Sequence, residues 1–138
     1  MELLLSGFSL LFSLCALGFS FTTWRTDFAA TRYDEADQRL SEIHRLEIEH
    51  PEFRNPEYCA KAATNPDPNI RYSYDAFACI IWNYIEAMYD RFNEKELRQS
   101  SHYFAMRSLS TLHKEWALLE ENKADYAPEL FKFLRLAG

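Results

Sequence analysis

The chain has 138 residues and carries 15 Lys and Arg against 21 Asp and Glu, a net charge of −6. That balance excludes the basic stripe with which a nucleic-acid binder displaces phosphate counterions, since the densest cationic patch is only Lys132 and Arg135. Valine is absent and glycine occurs only at 7, 18 and 138, which disfavours pleated strands and removes the Gly-dependent phosphate loops, dinucleotide turns and nucleophile elbows. An all-α fold is expected, without nucleotide chemistry.

Residues 1–24 read as a transmembrane helix. Leu3 to Trp24 is a run of 22 residues without a charge, long enough to cover about 33 Å at the helical rise and so to match a bilayer core. Met1-Glu2 supplies no basic n-region and the apolar run continues past Ala16-Leu17-Gly18, so it reads as a retained anchor rather than a cleaved signal. Trp24 and Arg25 fit an interfacial boundary. With Arg32 they place the N-terminus outside and the C-terminal domain on the cytoplasmic side. Inside the span, Ser6, Ser9, Ser13, Ala16, Ser20 and Thr23 step by three and four, gathering small side chains on one face that can pack on another membrane helix. The competing explanation is that each hydroxyl bonds a carbonyl of its own helix.

Residues 25–50 form the expected helical stalk. No proline interrupts it before Pro51, Glu35 and Arg39 stand at i, i+4, and Tyr33, Ala36, Leu40 and Ile43 make an apolar stripe that needs a cover. Residues 51–138 are then a soluble helical domain folded as a small antiparallel bundle. Asn55 caps a short helix opened by Pro56 and running to about Ala63, and the stretch from Thr64 to Asn69 reads as a surface loop. A central helix is predicted over Ser73–Phe92 from Phe77, Ile80, Ile81, Tyr84 and Met88. Asn93 with Glu96 resembles a capping box that starts a further helix, whose apolar rhythm is Ala105, Leu109, Leu112, Trp116 and Leu119. Pro128 opens a last segment with Leu130, Phe131, Phe133 and Leu134. Phe77, Ile81, Tyr84, Leu109, Leu112 and Trp116 are the expected core.

Side chains with reactive potential are sparse and scattered. Glu47 and His50 have the i, i+3 spacing of bundle metal sites, but no second copy of the motif accompanies them. Cys59 and Cys79 form no Cys-x-x-Cys and read as reduced, small apolar side chains of a cytoplasmic domain. His113, Glu115 and Trp116 read as a helix surface with one core aromatic. No catalytic, cofactor-binding or metal-ligating residue is expected.

The segment Arg45-Leu46-Glu47-Ile48-Glu49-His50-Pro51-Glu52-Phe53-Arg54, with Trp82-Asn83-Tyr84-Ile85-Glu86 and His113-Lys114-Glu115-Trp116, resembles small bacterial families of unknown function. The resemblance implies one N-terminal span joined to a helical domain and brings no catalytic residues. The expected function is a non-catalytic, single-pass accessory or assembly subunit of a larger membrane complex, whose partners are the lipid bilayer and other transmembrane subunits. A self-associating membrane-tethered scaffold or signalling module is the alternative, and a metal-dependent enzyme ranks third.

Overall fold

The structure is a computed structural model that describes the backbone of residues 2–136 and the side chains of residues 16–23, 27 and 31–136. It is all-helical, with no strand among the described residues. Helix α1, Glu2–Glu49, is continuous and joins the apolar segment to the stalk without a break. Among the described residues, no helix is long and apolar enough to cross a membrane. The chain divides into two compact units, 1–38 and 39–138, so the last turns of α1 belong with the C-terminal unit.

In that unit a 3-10 turn, Pro51–Arg54, follows α1 where Pro51 ends it. Helix α2, Pro56–Ala62, begins as its sequence requires: the Asn55 side chain accepts from the Glu57 and Tyr58 amides at 2.9 and 3.4 Å. Helix α3, Pro68–Arg91, starts five residues earlier than the periodicity suggests. The cause is a second Asx-Pro cap inside the turn-rich stretch, where Asp67 accepts from the Asn69 amide at 2.9 Å and Pro68 takes the first helical position.

The long helix expected after Asn93 is three shorter ones: α4, Glu94–Gln99, α5, Ser101–Leu112, and α6, Lys114–Ala117. Asn93 does cap the first of them, accepting from the Glu96 amide at 3.0 Å. The first break comes at Ser100, whose backbone is extended and whose hydroxyl turns back to the Leu97 carbonyl at 2.7 Å, a side-chain bond that competes with helix continuation. At the second break His113 leaves helical geometry, and its carbonyl accepts the Trp82 indole N–H at 3.4 Å. Tertiary contacts override propensity here.

Helix α7, Glu120–Lys123, and helix α8, Pro128–Leu134, complete the unit. Helix α8 closes with Arg135 in the left-handed region at φ 58°, while the Leu136 amide reaches back to the Phe131 carbonyl at 3.0 Å. This is the six-to-one bond of a Schellman closure, a position that glycine usually fills. Helices α3 and α5 run antiparallel, because Tyr84 meets His102 while Tyr74 meets His113. The core between them holds Phe77, Ile81, Tyr84, Leu109 and Trp116 as expected, whereas Leu112 is only half-buried. Trp82, Tyr126 and Phe131 pack ring on ring, with centroids 5.5 and 5.6 Å from Trp82, and bury the largest apolar payload of the unit.

Candidate functional site

The small-residue face of α1 is the site that the sequence singles out. The side chains of Ser6, Ser9, Ser13, Trp24 and Arg25 lie outside the described residues. Ala16, Ser20 and Thr23 are described, and all three are exposed. The Thr23 hydroxyl donates to the Phe19 carbonyl at 2.9 Å, four residues back, and Thr22 donates to the same oxygen at 2.8 Å. At Thr23 the hydroxyl is thus used inside its own helix, as the competing explanation holds. The larger side chains around this face are bare as well: Leu17, Phe19 and Phe21 expose 66, 75 and 57% of their surface, and a Cβ at Gly18 would meet nothing within 4 Å.

The C-terminal unit contains two buried tyrosine–histidine pairs, one of them built on His113, which the sequence reading placed on a helix surface. Tyr74 Oη lies 2.9 Å from His113 Nδ1, and Tyr84 Oη lies 2.9 Å from His102 Nδ1. Both histidines are buried. They belong to a stripe of His102, Met106, Leu109, His113 and Trp116, which steps by 4, 3, 4 and 3, so the signal was present in the spacing once histidine is admitted to a core. His113 also meets Phe77 edge-on at 5.5 Å, and its Nε2 is buried with no hydrogen-bond partner.

Burial pushes the His113 imidazole down to about 4, so the ring is neutral at physiological pH. Burial also pushes the Tyr74 phenol up, aided by its neighbour Cys59, and pushes the Cys59 thiol up. Cys59 Sγ donates to the Phe53 carbonyl at 3.1 Å. All three groups hold their protons or their neutral forms, which suits a core and not nucleophilic work. Nearby, Trp116 Nε1 donates to Asp75 at 2.9 Å, and Arg71 bridges Asp75 and Glu121 at 3.7 and 2.7 Å. These contacts tie α3 to α6 and α7.

Glu47 and His50 do not converge. Glu47 is buried in a cleft of about 430 Å³ shared with His44, Arg54, Phe104 and Ser108, whereas His50 is exposed, with Nδ1 3.3 Å from Glu52 and its ring stacked on Phe53. Among the described residues no three His, Cys, Asp or Glu side chains gather as a metal site would need. Cys59 and Cys79 are free thiols. Comparison with known protein families, curated proteins and solved structures finds no match to this chain.

Proposed function

We propose that this chain is a membrane-anchored, non-catalytic subunit that joins a larger membrane complex, with residues 1–24 as its single span. The observation that carries the reading is the exposure of Leu17, Phe19 and Phe21 on α1, within a sequence run that has no charge from Leu3 to Trp24. Large apolar side chains bared along a helix call for a cover of lipid or of other membrane helices, because water contact costs about 1.5–3 kcal/mol for each. Ser6, Ser9, Ser13, Ala16, Ser20 and Thr23 would then supply the close-packing face, with Trp24 and Arg25 at the boundary and the C-terminal unit in the cytoplasm.

The self-associating coiled-coil alternative is weakened by Ile43, which is fully buried in the C-terminal unit beside Ile80 and Tyr84 and so is already covered.

The test has two arms. Alkaline extraction of membranes should leave the chain in the lipid fraction, and its release would end the anchor reading. After gentle detergent extraction, Ser13→Leu should lose co-purifying membrane proteins while Leu11→Ile keeps them, because a larger side chain separates close-packed helices. Equal recovery would remove the packing face. Orientation is read from Thr64→Cys, at an exposed loop position, which an impermeant thiol reagent should fail to label in intact cells.

A further inference from the structure

A second cleft in the C-terminal unit, walled by Tyr126 and Phe131, has a chemical character unlike the rest of this acidic chain. It encloses about 410 Å³ and is lined by Leu118, Lys123, Tyr126, Pro128, Phe131, Lys132 and Leu136, a volume in the range of small-molecule sites. Its walls are apolar rings and aliphatic chains. Tyr126 and Phe131 are held in place from behind by Trp82, so the apolar wall is rigid rather than adaptable. Among the described residues, the charged side chains in the lining are two lysines, in a chain whose net charge is −6. Neither lysine has an ion-pair partner among the described residues; Asp125 and Glu129 are exposed and outside the lining, but burial and then the charges of Cys79, half-buried Glu86 and Asp125 push the Tyr126 phenol up, so the lysines act against nearby carboxylates.

We propose that this cleft binds a single-chain apolar carboxylate, with the chain against Phe131, Tyr126, Leu118 and Leu136 and the carboxylate paired to Lys123 and Lys132. Two ammonium groups beside a low-dielectric wall favour an anion there, and an apolar tail supplies the surface burial that an exposed ion pair alone would lack. The bland alternative is that both lysines merely lay their methylene stems over apolar surface. It predicts no preference for an anion.

The full chain, held in zwitterionic lipid nanodiscs with labelled leucine methyls, would be titrated with octanoate, 1-octanol and octyltrimethylammonium. Octanoate should shift the Leu118 and Leu136 methyls to saturation. The cation should give no saturable shift, and Lys123→Gln/Lys132→Gln should raise the octanoate half-saturation by about tenfold or more. Octanol saturating as readily as octanoate would overturn the proposal, since the lysines would then contribute nothing. Non-saturating shifts of equal size with all three probes would overturn it too, as bilayer partitioning. The reversed-charge probe keeps the test decisive whatever the double variant does to folding.

Discussion

His113 shows how one residue can pin the break between α5 and α6 to a single neighbouring helix, α3. Its imidazole meets Tyr74 from α3, its ring faces Phe77, and its carbonyl accepts from Trp82. Because the folded ring binds a proton only near 4 while an unfolded chain binds one near the ordinary 6.5, the unfolded state gains protons first as pH falls. Stability is therefore complete above the unfolded value and drains away between about 6.5 and 4, by about 3 kcal/mol from this group. Melting temperature measured from pH 7.5 to 4.5 should decline more in the native chain than in Tyr74→Phe/His113→Phe, where nothing at this point titrates. Tyr74→Phe alone should cost about 1–3 kcal/mol at pH 7, because it strands Nδ1 in the core. The double variant should cost less than the two single changes together, since replacing both partners leaves no buried polar group and the backbone bond to Trp82 survives. Additive losses would mean that the tyrosine and the histidine are not coupled.

At the scale of elements, much was legible because caps and prolines act locally. Asn55-Pro56, Asn93 with Glu96, and Pro128 each start a helix where the sequence says so. Asp67-Pro68 carries the same signal, yet the neighbouring Thr64, Asn65, Pro66 and Asn69 mask it, and α3 starts there all the same. The breaks at Ser100 and His113 were not legible. Neither residue is a helix breaker by propensity, and what breaks the helix at His113 is a pair of long-range hydrogen bonds that spacing alone does not encode. Treating histidine as a surface residue likewise shifted the expected stripe of α5 by a quarter turn, so that Leu112 was expected in the core in place of His113. The candidate face on α1 was legible as spacing, but Thr23 shows that a hydroxyl on such a face can spend its hydrogen bond at home. Scarce glycine has its own consequence at the end of α8, where Arg135 adopts a left-handed conformation that disfavours a Cβ. Arg135→Gly should therefore stabilise the unit by up to about 1 kcal/mol in chemical denaturation, and a loss of stability would show that the Arg135 side chain compensates for its backbone.

For the whole molecule, the division near residue 38 separates the first part of α1 from the C-terminal folding unit. Ile43 is fully buried within that unit, so the last turns of α1 are part of its core and not a detachable stalk. A chain beginning at Arg39 should keep the helical signal and cooperative melting of the native unit. One beginning at Pro51 should lose about 1.5–3 kcal/mol or more, the contribution of one large buried aliphatic side chain. Equal stability of the two fragments would show that the helix end is only laid against the domain. Two cysteines of the C-terminal unit, Cys59 and Cys79, extend this division into time. Cys79 is partly accessible, whereas Cys59 is 1% exposed with its sulfur bonded to the Phe53 carbonyl. Reagent can reach Cys59 only when α2 and the turn before it come away from the core, so the unit carries its own clock: alkylation of Cys79 reports local breathing, and alkylation of Cys59 counts openings of the domain, without denaturant.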